Sequence, residues 1–250
     1  MNLLIDIGNS CIKWASLEHH QLMTQQRCVY HKQNITTAFY QAWHTLNPPT
    51  AVWVSNVAGE EMAEALQQWT QHEWGLIPHF VKSTAMAQGV KNAYQHPEKL
   101  GVDRWLGLIG AHHLIMGNLC VVDCGTAITV DMINHEGQHL GGIIVPGVTT
   151  MHQALAKNAN ALAPYISLSS QLQSDKLATD THEGITLGTL YAVLGLIDYV
   201  MNRFEPTLGT LSLVLTGGSL PSLLPLLQRP YQHIPDLVLQ GLTMMVMQNK

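Results

Sequence analysis

Asp6-Ile7-Gly8-Asn9-Ser10 near the start of the chain and Asp123-Cys124-Gly125-Thr126-Ala127 near its middle are two versions of one device. Each follows a short apolar run, Leu3-Leu4-Ile5 in the first case and Leu119-Cys120-Val121-Val122 in the second. Such runs read as buried strands. Each motif therefore sets a carboxylate at a strand end, a glycine at a tight turn, and then a hydroxyl. Glycine lets the backbone approach a phosphate, exposed N–H groups and the hydroxyl donate to phosphate oxygens, and aspartate holds a metal ion or its water shell. The pair points to a phosphotransferase built from duplicated lobes.

Around the first motif, residues 3–6, 12–17 and 22–30 read as consecutive strands, the first two joined by Gly8-Asn9-Ser10. A helix over 36–46, a strand over 51–55 and a helix over about 60–71 follow. After Asp123 the order recurs, with strands over 128–133 and 140–145 and a helix over about 148–161. The expectation is an α/β chain with one lobe over residues 1–110, a second over 111–250, and a hinge in or near residues 94–111. In the last third, the run 211–216 ends in Gly217-Gly218, and Ser219-Leu220-Pro221 reads as a helix start with Ser219 as the cap. A strand ending in a glycine pair at a helix entrance can accept a nucleotide against its backbone, which would make it the adenosine-side turn of the second lobe, although such turns are also common as purely structural strand–helix connections.

Composition narrows the function. The 250 residues are 46% hydrophobic, ample for a packed core, while charged residues make up 12% and the net charge is −5. There is no basic surplus of the kind nucleic-acid binding needs. The four cysteines, Cys11, Cys28, Cys120 and Cys124, form no C-x-x-C pair and read as buried, reduced thiols, with Cys120 and Cys124 on one strand face. The N-terminus enters the acidic motif at once rather than a basic and then apolar leader, so the cytoplasm is the expected compartment. Residues 184–201 are apolar enough to raise a membrane span, yet the stretch is short for one and carries Asp198, so a helix buried in a core or against a second subunit is expected, and no membrane contact. The fourteen histidines form no H-E-x-x-H and read as surface or satisfied core residues.

Gly101-Val102-Asp103-Arg104 opens a largely apolar helical stretch between the motifs. An acidic residue there serves the helix dipole in most proteins. Next to phosphate loops, an Asp–Arg pair also offers one group to accept a hydroxyl proton and one to hold an anion.

Taken in order, Asp6-Ile7-Gly8-Asn9-Ser10-x-x-Lys13-Trp14, Gly101-Val102-Asp103-Arg104, Asp123-Cys124-Gly125-Thr126-Ala127-x-Thr129-x-Asp131 and Gly141-Gly142-x-Ile144-x-Pro146-Gly147 resemble the signature of the type III pantothenate kinases. The similarity runs from the first strand to Leu239-x-Gly241-Leu242. The resemblance implies duplicated actin-like (ASKHA, ribonuclease H-like) lobes with a central cleft, and ATP-dependent phosphorylation of pantothenate in the first step of coenzyme A synthesis. It implies that Asp6, Ile7, Gly8, Asn9, Ser10, Cys11, Ile12 and Lys13 form the first phosphate loop, with Asp6 near magnesium, directly or through water, and that Thr126 contacts ATP. It implies a pantothenate site at Tyr94, Gly101, Val102, Asp103, Arg104 and Thr181, with Asp103 the proton acceptor and Gly184 standing where the family pattern has Ala or Ser. Asp123 would bind a monovalent cation, potassium or ammonium, and the chain would form a homodimer in which residues 184–201 border the pantothenate pocket.

Two other readings stay open at the level of sequence. One is a kinase of the same fold acting on another small hydroxyl substrate such as a sugar, although no dense Asp/Asn/Glu cluster is present. The other is a non-catalytic transcriptional accessory relative, which the presence of Asp6, Asp103 and Asp123 disfavours.

Overall fold

The first eighteen residues form a hairpin, β1 (Asn2–Ile7) and β2 (Cys11–Glu18), whose antiparallel register sets Asp6 opposite Lys13. The computed structural model describes residues 1–30, 34–158 and 177–248. β3 (Gln21–Leu22) and β4 (Gln26–Val29) both pair with β2. α1 (Ile35–Trp43), β5 (Ala51–Asn56), α2 (Glu60–Trp74), β6 (His79–Phe80), β7 (Met86–Ala87), β8 (Val90–Lys91) and α3 (Val102–Leu114) follow. The expected strand over 22–30 is thus two pieces. Leu17 pairs with Leu22 and Trp14 with Gln26, so Met23, Thr24 and Gln25 face only Ser16 and Ala15, and the extra residue makes a bulge that breaks the ladder.

β1 lies inside the sheet order β3-β2-β1-β5-β6 and is apolar on both faces, as a strand covered on both sides must be. Alternate residues go to different cores. Leu3, Ile5 and Ile7 join Trp14, Phe39, Trp43, Leu66 and Trp69, where Phe39 stacks on Trp43 at 5.3 Å between ring centres. Leu4 joins Ala15, Leu17, Val102 and Leu106 on the opposite face, together with Leu239 and Leu242 of the C-terminal helix. Asp6 and Lys13 fall on this second face by parity, the face that α3 covers.

The later elements are β9 (Asn118–Cys124), β10 (Ala127–Ile133), β11 (His139–Pro146), α4 (Val148–Asn158), α5 (Thr181–Leu208), β12 (Leu211–Thr216), β13 (Gln232–His233) and α6 (Leu237–Gln248). Of the helix expected over 148–161, residues 159–161 lie outside the described residues. The second sheet runs β11-β10-β9-β12-β13. Its first strand in sequence, β9, pairs parallel with β12 as β1 pairs parallel with β5, so the two sheets repeat one topology. Cys120, Val122 and Cys124 of β9 pack with Leu213 and Leu215 of β12 and with Leu190, Val193 and Ile197 of α5.

Where the sequence reading cuts the chain once, near residue 110, the compact units of the structure interleave: residues 1–116, 133–141 and 236–250 form one, residues 117–132 and 142–235 the other. The expected hinge segment, 94–111, lies wholly inside the first unit. α6 belongs there because it packs on α3 with almost no gap; a Cβ added at Gly241 would stand 2.0 Å from the Leu106 carbonyl oxygen.

α5 is long and apolar enough to cross a membrane by length and composition. Its buried residues, Leu187, Leu190, Val193, Ile197, Val200 and Met201 among them, form the stripe of a core helix. Three expectations need correction. Ser219 does not cap a helix: its backbone is already helical, its side chain makes no cap bond, and residues 220–222 form a single 3₁₀ turn. Among the described residues His152, 2% exposed, finds no hydrogen-bond partner at either ring nitrogen, and burial lowers its pKa, so the expectation of a satisfied core histidine does not hold there. Of the four cysteines expected to be buried, only Cys120 and Cys124 are; Cys11 on β2 and Cys28 on β4 are half-buried.

Candidate active site

In the first unit Asp6 is 7% exposed, and Ser55, fully buried on β5, donates from Oγ to Asp6 Oδ1 at 3.0 Å. Parallel pairing of β1 with β5 puts these residues side by side. The turn beyond Asp6 is closed by Gly8 N–H donating to the Cys11 carbonyl at 3.0 Å and braced by the Tyr30 hydroxyl donating to the Gly8 carbonyl at 2.8 Å. Asn9 and Ser10 are exposed at its tip, and Lys13 is half-buried across from Asp6. Ile7 and Ile12 are fully buried, so they offer a ligand only backbone. Burial pushes the Cys11 thiol up, against the pull of Lys13 and Arg27, and keeps it neutral near pH 7.

The same unit builds a second constellation ahead of α3. Asn92 Nδ2 donates to the Thr84 and Pro97 carbonyls, and its Oδ1 accepts from Tyr94 N–H at 3.0 Å. Arg104 is 8% exposed and donates from Nη1 to the Tyr94 hydroxyl at 2.9 Å, with its guanidinium carbon 5.7 Å from the ring centre. Buried arginine needs such partners, because an uncompensated charge is costly out of water. Ser83 Oγ fixes the Leu100 carbonyl at 2.8 Å, and Gly101 then starts the helix. Asp103 Oδ1 accepts from Arg104 N–H at 2.7 Å; a Cβ at Gly101 would stand 2.7 Å from that oxygen, so the glycine makes room for the carboxylate. Val102 faces the core.

In the second unit, Asp123 is half-buried at the end of β9 and Thr126 is exposed on the following turn. Gly125 N–H donates to the Ala127 carbonyl at 3.1 Å, and the Thr126 carbonyl accepts from Gly147 N–H at 2.9 Å and from Thr150 Oγ1 at 2.7 Å. Ser219 N–H donates to the Cys124 carbonyl at 2.9 Å. Two glycines permit this crowding. A Cβ at Gly147 would stand 2.2 Å from the Gly125 carbonyl oxygen, and one at Gly217, whose φ is +103°, would stand 2.5 Å from Asp123 Oδ1. The Gly217-Gly218 turn therefore packs on the Asp123 motif, as a nucleotide-side loop would. Thr181 is the exposed first residue of α5, behind Asp180, whose side chain caps the helix by accepting from Glu183 N–H at 2.9 Å.

Each unit thus assembles its share of the expected residues: Asp6 to Lys13, Tyr94 and Gly101 to Arg104 in the first, Asp123, Thr126 and Thr181 in the second. Sequence reading missed Ser55, a hydroxyl at the end of an apolar strand, and Tyr30, whose bond to Gly8 spans 22 residues. The 220 Å³ cavity lined by Met1, Asn2, Leu17, His19 and His20 among others is at the opposite end of β1 from Asp6 and takes no part in this chemistry.

The family model for type III pantothenate kinase matches residues 2–203. A type III pantothenate kinase from Nitrosococcus oceani is 39% identical over 248 residues, covering 97% of this chain and 92% of that protein. Among solved structures, a protein from Campylobacter jejuni described as a Baf family transcriptional activator superposes with a TM-score of 0.63 at 22% identity, covering 99% of this chain and 98% of that one. A ROK family glucokinase from Streptomyces griseus superposes with a TM-score of 0.51 at 10% identity, covering 99% of each chain. At those identities the structural likeness speaks for the fold, the actin-like fold of the sugar kinases. The match of the family model over most of the chain, with the close agreement of the Nitrosococcus protein along almost its whole length, shows that the chain belongs to the type III pantothenate kinase family.

Proposed function

We infer that the protein transfers the γ-phosphoryl group of ATP to the terminal hydroxyl of pantothenate, giving 4′-phosphopantothenate and ADP at the entry to coenzyme A synthesis. The observation that carries the reading on this chain is the Asp103–Arg104–Tyr94 constellation at the start of α3, on the same sheet face as Asp6 and Lys13. The Arg104 guanidinium with the Tyr94 hydroxyl suits a small substrate bearing a carboxylate and hydroxyls. In the transfer, the substrate oxygen forms a bond to γ-phosphorus, the bond to the ADP oxygen breaks, and the hydroxyl proton passes to the Asp103 carboxylate. The transition state is loose, so alignment and charge compensation matter more than the strength of the base. Lys13 and the exposed Asn9-Ser10 turn serve that compensation in the first unit, and the exposed Thr126 turn in the second.

Asp6 fits a magnesium site of modest protein content. Its carboxylate is oriented by Ser55, and among the described residues no three His, Cys, Asp or Glu side chains gather to enclose an ion. Magnesium characteristically takes one or two carboxylates and fills its shell with phosphate and water. Asp123 fits an oxygen-ligated monovalent cation, potassium or ammonium, because a Cβ at Gly217 would crowd the very oxygen that such an ion would use. When bound, these ions supply positive charge beside the phosphates. We place the enzyme in the cytosol, where its four free cysteines stay reduced.

A homodimer through α5 belongs to the same reading. Gly184, Gly188, Ala192 and Gly195 lie exposed along this helix at spacings that share a face, where a second helix can approach closely. A coupled ADP-release assay with pantothenate and a panel of sugars, in potassium and in sodium buffers of matched ionic strength, tests the function. ADP release with pantothenate alone, faster in potassium, is the expected result. Turnover of a sugar in preference to pantothenate contradicts the substrate, and equal rates in the two buffers contradict the role of Asp123.

A further inference from the structure

The pantothenate side of the proposed site has a support that none of its motif residues provides. His139 begins β11 and is 1% exposed. Its ring lies nearly parallel to that of Tyr94, with centres 6.2 Å apart and an interplanar angle of 17°. Its Nδ1 accepts a long hydrogen bond, 3.4 Å, from the backbone N–H of Ala93. The two contacts grip adjacent residues of one short segment: the backbone just before Tyr94 and the Tyr94 ring itself.

That segment has little regular structure of its own, because β8 ends at Lys91 and α3 does not begin until Val102. It is stitched to the turn carrying His139 by Lys91 N–H donating to the Gly137 carbonyl at 2.8 Å and by Gln138 Nε2 donating to the Lys91 carbonyl at 3.4 Å. Asn92 holds the Tyr94 N–H from the other side. Backbone bonds therefore fix where the segment runs, while the His139 ring fixes how Tyr94 is turned. A phenylalanine would satisfy packing at a 1% exposed position; imidazole adds an acceptor aimed at a backbone N–H, which a carbon ring lacks.

We propose that His139 is a positioning residue for the hydroxy-acid substrate: it orients Tyr94 so that the phenol meets Arg104, and through that pair it sets affinity for the substrate rather than for ATP. The inference rests on the reading that Tyr94 and Arg104 bind pantothenate. His139 touches no reacting atom, so its effect appears in substrate recognition. Removing a stacked ring and a weak acceptor together is expected to raise the pantothenate KM roughly tenfold. The ATP KM and kcat stay within about twofold, the pattern for a group that acts on binding of one substrate.

The test is steady-state kinetics of the full-length enzyme with both substrates varied, for His139→Ala, His139→Phe and His139→Asn. His139→Phe keeps the ring and His139→Asn keeps an acceptor, so each is expected to restore part of what His139→Ala loses, Phe more than Asn because the hydrogen bond is long. In a double-mutant cycle, His139→Ala on a Tyr94→Ala background is expected to add nothing further to the pantothenate KM. An unchanged pantothenate KM in His139→Ala, or equal rises for both substrates, overturns the proposal. If His139→Ala does not fold, a pantothenate KM in His139→Phe that rises without change for ATP supports it, and an unchanged KM there overturns it. Tyr94→Phe and Arg104→Ala separate the two levels. If these raise the pantothenate KM while the His139 variants do not, the positioning role alone fails; if they leave it unchanged, the underlying pocket assignment fails and takes the proposal with it.

Discussion

At Asp6 the carboxylate is held by a side chain from the next strand, Ser55, and the turn behind it by the Tyr30 hydroxyl; at Asp123 the surroundings are held off and shaped by glycines, Gly147 and Gly217. The motifs read alike, yet the second adds to its hydrogen bonds a backbone approach that only the absence of a Cβ permits. Bracing by a hydrogen bond weakens gradually when a partner is lost. Bracing by close backbone approach fails abruptly, because a single added carbon must displace main chain.

The sharpest way to break this comparison is to add one methyl group on each side of it. Gly147→Ala is expected to lower stability by about 3 kcal/mol, the upper end of overpacking, since the new carbon would meet the Gly125 and Thr126 carbonyl oxygens at 2.2 and 2.7 Å. Gly8→Ala is expected to change stability by less than about 0.5 kcal/mol, because the nearest atom, the Cys11 carbonyl oxygen, would be in ordinary contact at 3.5 Å. Urea unfolding of both variants measures this, and equal losses would dissolve the distinction.

A second difference lies in the thiols behind the two motifs. Burial pushes Cys120 and Cys124 on β9 up to about 12 from 9.0, whereas at half-buried Cys11 the nearby Lys13 and Arg27 offset part of the rise. A folded-state value above the unfolded one means that stability is intact below pH 9 and is lost as pH climbs toward 12, because only the unfolded chain releases the protons. At pH 10 each buried thiol removes on the order of 1.4 kcal/mol. Replacing both with alanine is expected to flatten the alkaline slope of a denaturation series, and an unchanged slope would show the thiols to be better solvated than the fold allows.

A loss well below that at Gly147→Ala is expected at Ser55→Ala, about 1 kcal/mol for a hydrogen bond whose acceptor regains water near the strand end. The magnesium concentration for half-maximal rate is expected to rise as well, since Asp6 loses the group that orients it. A stability loss as large as that of Gly147→Ala would mean the first loop is braced no more gently than the second.

What the sequence shows of this molecule is mostly local. An apolar run followed by Asp-x-Gly identifies the ends of β1 and β9, and short apolar, β-rich runs mark β5 and β12, because strand propensity is written in consecutive residues. Ser55 escapes such a reading: its meaning lies in a register that pairs it with Asp6 across 49 residues. The break between β3 and β4 escapes it too, since no Gly or Pro stands at residues 23–25 and the bulge appears only once both flanks pair with β2. His139 looks like one histidine among fourteen until the fold sets it against Tyr94. The ordered motifs supplied roles for Asp103, Arg104 and Tyr94 through family resemblance, and physics then explains their arrangement: a buried guanidinium needs a phenol, and a carboxylate at a helix start needs a glycine beside it.

The central claim is that Asp103 takes the proton of the substrate hydroxyl during phosphoryl transfer from ATP. Turnover of purified Asp103→Asn with saturating ATP and pantothenate tests it most directly, since asparagine preserves size and the acceptor for Arg104 N–H while removing the base. The account predicts a folded protein whose kcat falls by about 10²–10⁴-fold, the usual worth of a positioned general base. Near-normal kcat in that variant would contradict it.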